Sequence, residues 1–378
     1  MTGTGTTLAI TGWGVVSPIG LGADEFAAGL ATGRDGRTDV SEMFDEPIPR
    51  PDAYAIKDFN VKEHLGRKGT SFLDRSTALA MVAAGQALAD AGLEVDETNS
   101  ERIGVALGTT AGSVRSTSDY SKATFVEDRP YLVNPLIFPN AVMNCAAGQS
   151  AIRYHLKGVN ATLAGGPVAL FTALRYARRL IELDQADALL VGATEEFGPQ
   201  VAWANEFAQR AHGGDLPAGE AAAVFVVSDA ATVRGNGVRP DAEVLACEVA
   251  THIPADENDP DLDFSETLAA SLRRALDRAG VRADEVFAVA SAENGMPDVD
   301  GYEDRAIVSV LGEAPKRIRV KRQTGEALSA SAALQLGALL AQHRGHPERD
   351  GAVSVLTGHT PDGVVGVAVL RGWSGRAR

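Results

Sequence analysis

The stretch NATLAGGPVALFTALRYARRL, which begins at Asn160, has the arrangement that presents a nucleophile in many enzymes. An apolar run at 161–164 predicts a strand, Gly165 and Gly166 predict a tight turn, and a helical run begins with Pro167. A reactive side chain in such a turn would lie at a helix N-terminus, where the helix dipole stabilises a thiolate or an alkoxide. Proline has no nucleophilic atom. The sequence therefore predicts the turn of a nucleophilic enzyme without the nucleophile.

The two cysteines and a pair of histidines are further candidates for chemistry. Cys145, in NAVMNCAAG, is either a displaced nucleophile or a small buried residue, and Cys247, in the strand-like EVLACEVA, is expected in the core. His343 and His346 lie in the charged segment QHRGHPER, with no carboxylate at ligand spacing. We therefore expect no disulfide, no metal site and no cofactor.

Length and charge exclude several classes of function. The chain has 378 residues and a formal net charge of -15, so nucleic acid and anionic membranes would be repelled over most of its surface. It has no apolar run long enough to span a bilayer, and its N-terminus lacks the features of a signal peptide. The sequence predicts a soluble, cytoplasmic protein.

Strand-like and helical segments recur in the same order in the two halves of the chain. The matching pairs are STALAMVAAGQALADAGL with ETLAASLRRALDRAGV, IGVALGTTAG with EVFAVASAENG, NATLAGGPVALFTALRYARRL with RIRVKRQTGEALSASAALQLGALL, ADALLVGATEE with GAVSVLTGHT, and AAAVFVVSDA with GVVGVAVLRGW. This order predicts an internal duplication, with halves at 1–235 and 236–378. Strands such as 188–193 are apolar on both faces, which predicts an α/β fold with helices on both sides of the sheet. The stretch HIPADENDPDLD predicts a flexible loop.

Nearly the whole chain resembles the β-ketoacyl synthases of the thiolase fold. LAITGWGVVSPIGLGADEFAAGLATGRDG resembles the family's opening strand, turn and helix, and VNPLIFPNAVMNCAAGQSAIRYHLKGVNATLAGG resembles the stretch that leads to its nucleophile. ALLVGATEE and PAGEAAAVFVVSDA resemble its next two strands, with Gly219 and Glu220 in the usual Gly-Glu-Gly. The resemblance implies an α/β/α/β/α layered architecture with two pseudo-repeated halves.

Members of that family condense acyl chains with one cysteine and two histidines. The cysteine position matches Pro167; AENGMPDVDGYE resembles the first histidine motif and puts Ala292 at the histidine. KRQTGE resembles the second motif, Lys-Ser-x-x-Gly-His, with Lys321 retained and Glu326 at the histidine. Proline cannot carry an acyl chain, and neither alanine nor an ionised glutamate stabilises an enolate. We therefore expect no catalytic residue in this chain.

Several residues around these positions have two interpretations. Lys321 and Glu326 either form an ion pair in the abandoned site or both turn toward solvent. His359 lies in TGHTPDG, which replaces the family's Phe-Gly loop, and faces either the former active-site cavity or solvent. Asp300 and Glu303 match acidic positions after the first histidine motif, and we expect them to hold a loop.

One branch of the family lacks the nucleophile in the same way. The chain resembles the chain-length factor, or β subunit, of type II polyketide synthases, although Pro167 stands where these factors usually have glutamine. The proline favours a divergent subgroup, such as one that handles polyenes. The resemblance implies a heterodimer with an active ketosynthase, an acyl carrier protein that contacts the partner, and a growing polyketide in a tunnel at the shared interface. It implies no nucleic-acid or membrane partner.

The resemblance also implies which residues form the tunnel and the interface. The helix that corresponds to the tunnel wall carries Ser113, Val114, Thr117, Tyr120 and Phe125; a polar surface helix is the alternative. The strand expected to pair across the dimer contains Asn160, Ala161, Thr162, Leu163 and Ala164.

Two other functions stay open at this stage. One is an enzyme that uses Glu326, His359 or Cys145 for another acyl-transfer or hydrolytic step and turns over alone. The other is a homodimeric scaffold without a ketosynthase partner.

Overall fold

The structure, a computed structural model, describes residues 6–254 and 262–374. Residues 255–261, which form most of the predicted flexible loop at 252–263, lie outside the described residues. The strands are β1 (Leu8–Ser17), β2 (Gly20–Leu21), β3 (Thr38–Asp39), β4 (Asp52–Ala53), β5 (Ile103–Thr109), β6 (Asn160–Ala164), β7 (Ala188–Glu195), β8 (Ala221–Asp229), β9 (Ala242–Thr251), β10 (Val286–Ala290), β11 (Lys316–Ile318), β12 (Val353–His359) and β13 (Val364–Gly372).

The α-helices alternate with these strands. They are α1 (Ala23–Thr32), α2 (Val61–Leu65), α3 (Arg75–Ala91), α4 (Val114–Val126), α5 (Cys145–Tyr154), α6 (Ala169–Glu182), α7 (Pro199–Ala211), α8 (Ala230–Gly235), α9 (Ser265–Ala279), α10 (Pro297–Leu311), α11 (Lys321–Thr324) and α12 (Leu328–His343). Capping residues set the limits of the longer helices. The Asp74 carboxylate accepts the N–H of Thr77 at 2.8 Å where α3 begins, and Gly92, at φ 62°, ends that helix.

One large sheet contains both halves of the chain, in the order β11-β10-β12-β13-β9-β1-β8-β7-β5-β6. Counted outward from the centre, one half is β1-β8-β7-β5-β6 and the other is β9-β13-β12-β10-β11, so corresponding strands occupy corresponding places. The halves meet where Leu8, Ala9 and Ile10 of β1 pair with β9. The predicted duplication is confirmed. The boundary at 235/236, which falls at the end of α8, stays a prediction as a division into domains.

Two central helices join the halves. Both α6 and α12 contact strands of the first half, β5 and β7 among them, and strands of the second half, β13 among them. Outside this layer, α3 packs on β1 and β8, and α9 packs on β9 and β13. The α6 residue Phe171 fits against Gly358 and Gly366, where an added Cβ would lie 2.4 and 2.5 Å from its ring atoms. The predicted α/β thiolase-type layering is confirmed.

Candidate functional site

The predicted strand–turn–helix is present at the end of β6. Gly166 lies in the left-handed region, at φ 54°, and the Gly165 N–H donates to the Thr109 carbonyl at 3.2 Å. Pro167 lies in a 3-10 turn, Gly166–Val168, and α6 begins two residues after it, at Ala169, rather than at the proline. The missing proline N–H costs nothing at a helix start. The turn packs against α12 and β12, so the nucleophile position lies beside the second half of the chain.

The first histidine position, Ala292, follows β10 and is buried. Its N–H donates to Glu303 Oε1 at 2.8 Å, and the Thr357 hydroxyl donates to the same oxygen at 2.6 Å. Asp300 accepts the N–H groups of Asn294 and Gly295. These contacts agree with the expectation that Asp300 and Glu303 hold a loop.

His359 is the last residue of β12 and is only 2% exposed. Its ring stacks on Phe264 at 4.9 Å, and its Nε2 lies 3.6 Å from Glu303 Oε2. Burial opposes ionisation of Glu303, but the imidazole and the Thr357 hydroxyl outweigh it and hold the pKa of the carboxyl below its usual range. The solvent-exposed interpretation of His359 is wrong, because the residue belongs to β12 and its ring is buried against Phe264.

The second histidine position, Glu326, is a buried ion-pair residue. Lys321 Nζ lies 2.6 Å from Glu326 Oε2, and the two side chains are 4% and 5% exposed. The other oxygen accepts the Leu328 N–H at 2.8 Å and the Ser331 hydroxyl at 2.9 Å. Leu328 has φ 44°, a left-handed conformation that leucine rarely adopts, and this hydrogen bond helps to hold it. The interpretation in which Lys321 and Glu326 turn toward solvent is wrong.

The cysteines lack the environment of a reactive thiol. Cys145 begins α5 and is buried; desolvation raises the pKa of its thiol to about 11, and the nearby Asp74 carboxylate adds to the rise. Cys247 lies in β9, where burial raises the pKa of its thiol to about 12. Both are free. These surroundings favour the interpretation of both cysteines as small buried residues.

The histidine pair is divided between two environments. His343 is not in a charged loop: it is buried in the last turn of α12, with Nδ1 at 3.1 Å from the Arg349 carbonyl. His346 is exposed and lies 2.9 Å from Glu348. Within 6–254 and 262–374, no group of three or more histidine, cysteine, aspartate or glutamate side chains is placed to hold a metal ion.

The predicted tunnel residues lie at the start of α4 and along it. Ser113 is the buried N-cap, while Val114 packs with the cluster around Phe197. The Thr117 hydroxyl lies 2.9 Å from the Ser113 carbonyl and 3.1 Å from the Ala141 carbonyl, and it can donate to either. The Tyr120 ring contacts the Phe138 ring at a tilt of 58°, and the Phe125 side chain is 86% exposed. Beside the N-cap of α4 is a cavity of about 10 Å³, room for about one water, whose lining includes Ser113, Met143, Cys145 and Thr162.

The predicted interface strand, β6, forms one edge of the sheet, and its first and last residues are exposed. Large apolar side chains are exposed in the neighbouring segments: Phe72, Phe125, Val126, Tyr131, Leu132, Leu136, Phe138, Met143 and Ile152. An open strand edge beside exposed apolar side chains is typical of a protein–protein contact surface.

Comparison with known proteins identifies the family. The model described as "Beta-ketoacyl synthase, N-terminal domain" matches residues 6–239, more than half of the chain. The chain belongs to the β-ketoacyl synthase family. It is 27% identical over 352 residues to 3-oxoacyl-[acyl-carrier-protein] synthase 2 of Staphylococcus aureus strain COL, which covers 87% of this chain and 83% of that protein.

Solved structures agree with this assignment. The structure described as "The ishigamide ketosynthase/chain length factor" is 35% identical, with a TM-score of 0.85 over 97% of this chain and 99% of that one. A type II PKS acyl-carrier protein in complex with its ketosynthase bound to the hexaketide matches the fold at 19% identity, with a TM-score of 0.77 over 97% of this chain and 100% of that one. No helix among the described residues is long and apolar enough to cross a membrane.

This β-ketoacyl synthase relative also has two buried acids that sequence reasoning missed. Glu195 accepts the Thr110 N–H at 2.5 Å and the Ser329 hydroxyl at 2.7 Å, and burial raises its pKa to about 7. Glu196 is equally buried, and desolvation raises its pKa to about 7 as well. Two adjacent acids at the end of an apolar strand, as in GATEE, are the sequence signal that could have found them.

Proposed function

We propose that this chain is the non-catalytic subunit of a ketosynthase heterodimer and acts as a chain-length factor in a type II polyketide synthase. One observation carries the proposal: the three condensing positions hold Pro167, Ala292 and Glu326. In addition, Glu326 Oε2 forms a buried ion pair with Lys321 Nζ at 2.6 Å. A subunit with this site cannot hold an acyl thioester or stabilise an enolate, so the chemistry must come from a partner.

The partner would be a ketosynthase with an intact cysteine. The 35% identity to a chain solved as a ketosynthase/chain length factor supports this choice. In our proposal β6, with Asn160–Ala164, pairs across the dimer, and the exposed apolar side chains beside it are covered by the partner. Covering these side chains would remove the apolar surface that the isolated chain exposes.

The partner would also receive the acyl carrier protein. The net charge of -15 makes this chain a poor docking surface for an acidic carrier protein. The complex as a whole would work on the growing polyketide in the cytoplasm. A polyene-type system fits the unusual proline at position 167.

The tunnel wall would be α4. A Thr117→Trp substitution would add a bulky ring to the proposed wall and should shorten the polyketide. Lys122→Trp is the matched control, because Lys122 is exposed and lies about 140° around the helix from Thr117. Product analysis by mass spectrometry decides: an unchanged length in Thr117→Trp, or equal shortening in both variants, contradicts the assignment of α4 as the wall.

The proposed function is tested by co-expression with a ketosynthase that has the family's cysteine and both histidines. Size-exclusion chromatography should show a one-to-one complex, and the complex should condense malonyl groups from a carrier protein while this chain alone does not. A Pro167→Cys variant of this chain should stay inactive alone, because Ala292 and Glu326 still cannot stabilise the enolate. Turnover by the isolated chain would instead support a repurposed enzyme. A stable self-dimer that ignores the ketosynthase would support the scaffold.

A further inference from the structure

Glu196 lies directly after β7 and faces the N-terminus of α4. The Ser113 hydroxyl lies 2.9 and 3.1 Å from its two carboxylate oxygens, and the Arg115 N–H donates to it at 3.1 Å. Ser113 is the N-cap of α4 and Arg115 is the second residue of the helix. One buried carboxylate therefore satisfies the cap side chain and a free N–H group of the first turn.

The same hydroxyl has a second acceptor within reach. Ser113 Oγ lies 2.9 Å from Ser116 Oγ and accepts the Ser116 N–H at 3.1 Å. A hydroxyl has a single proton, so Ser113 donates either to Glu196 or to Ser116. The Ser113 hydroxyl at the start of α4 therefore has two alternative acceptors, Glu196 and Ser116.

The charged groups around Glu196 leave its carboxylate without a dedicated cation. Asp74, at the start of α3, repels it, and desolvation is the largest reason why its pKa is raised. The Arg75 guanidinium interacts with Glu196 electrostatically, but its hydrogen bonds of 2.6 and 2.7 Å go to the Glu220 carboxylate. The Arg115 side chain lies near Glu46 and Asp119, on the outer side of α4.

The preceding acid does not share these contacts. Glu195 on β7 bonds to Thr110 and Ser329, not to α4. The Ser76 N–H of α3 favours the ionised form of Glu196. Of these two acids, Glu196 is the one that contacts the first turn of α4.

We propose that Glu196 is a positioning residue for α4: when ionised it holds the first turn through Ser113 and Arg115, and when protonated it releases that turn. Ionised, the carboxylate accepts both donors and complements the positive end of the helix. Protonated, it becomes a weaker acceptor, and the Ser113 hydroxyl turns to Ser116. Because α4 carries Thr117 and Tyr120, release of the turn changes the proposed tunnel wall; this consequence rests on the proposed function.

Hydrogen exchange of the intact chain tests the positioning role without any enzyme assay. Protection factors for the amides of 115–118 should fall as the pH is lowered from 8 to 6, by about tenfold, the size expected for loss of a helix cap. Glu196→Gln keeps the shape of the side chain and should show the low value at every pH. Glu127→Gln, at the other end of α4, is the matched control and should behave as the native chain does.

Two results would overturn the proposal: a pH dependence in Glu196→Gln equal to that of the native chain, or native protection in that variant at pH 8.

In the active complex, Glu196→Gln should also make the product-length distribution independent of pH, whereas the distribution from the native complex should change with pH. If the complex does not condense malonyl groups at all, the proposed function fails but the exchange data still decide the role of Glu196. If exchange behaves as expected and product length does not change, the role of α4 as tunnel wall is contradicted instead.

Discussion

Removal of the Glu326 carboxylate should destabilise the protein severely. In Glu326→Ala the Lys321 ammonium would stay in a site where its side chain is 4% exposed, without the carboxylate that now lies 2.6 Å away. Breaking a buried pair by removing one partner costs about 3–5 kcal/mol. The Leu328 N–H and the Ser331 hydroxyl also lose their acceptor. Because a whole domain has a stability of about 5–15 kcal/mol, this single change should remove a large part of it.

Urea unfolding followed by circular dichroism measures the effect. The double variant Lys321→Met/Glu326→Leu removes both charges and should recover most of the loss, because an apolar pair of similar size is often as stable as a buried ion pair. Raising the pH should also restore part of the stability of Glu326→Ala, since an unpaired buried amine can lose its proton.

The control is an exposed pair, Arg282 and Asp284, in which Asp284→Ala should have no measurable effect on unfolding. The reasoning is refuted if Glu326→Ala unfolds at the same urea concentration as the Asp284 control. It is also refuted if the double variant is no more stable than Glu326→Ala, since the cost would then not come from the stranded ammonium.

Three further predictions concern other buried groups. Burial raises the pKa of Glu195 from 4.5 to about 7, so the native state holds a proton that the unfolded chain loses at lower pH. The native state should therefore lose stability as the pH rises from about 4.5 to 7. Glu195→Gln cannot ionise, and urea unfolding at pH 5 and 8 should show that the variant lacks this loss, which is about 3 kcal/mol. Cys145 and Cys247, with thiol pKa values of about 11 and 12, should resist iodoacetamide at pH 8 until the chain is unfolded, as mass spectrometry would show. Gly192→Ala should lower the melting temperature, because the new Cβ would lie 2.1 Å from the Ala223 carbonyl oxygen; an unchanged melting temperature would contradict that packing.

The duplication and the strand–turn–helix are predictable from sequence because they depend on local patterns. The turn itself is marked by residues with strong backbone preferences, Gly165, Gly166 and Pro167. The apolar run before them predicts the strand, and the helical run after them predicts the helix. The start of α6 at Ala169 is less predictable, since a 3-10 turn and the first turn of an α-helix favour the same residues.

The partners of buried charges are not predictable in the same way. Glu303 lies on α10, and it meets His359 because β10, the strand before α10, pairs with β12 in the sheet. No local pattern near either residue encodes this pairing. Lys321 and Glu326 are close in sequence, but burial decides whether they pair, and burial depends on the packing of both halves. Glu195 and Glu196 were missed because acids at a strand end are usually exposed.

The ion pair at position 326 has a consequence for the history of the site. Glu326→His alone would remove the carboxylate that now pairs with Lys321 and accepts hydrogen bonds from Leu328 and Ser331, while Pro167 and Ala292 would stay as they are. The change at position 326 by itself would therefore lose stabilising contacts without restoring a condensing site. Under the proposed function, recovery of a condensing site would need changes at all three positions together, and the change at position 326 would also remove a buried salt bridge of the present fold.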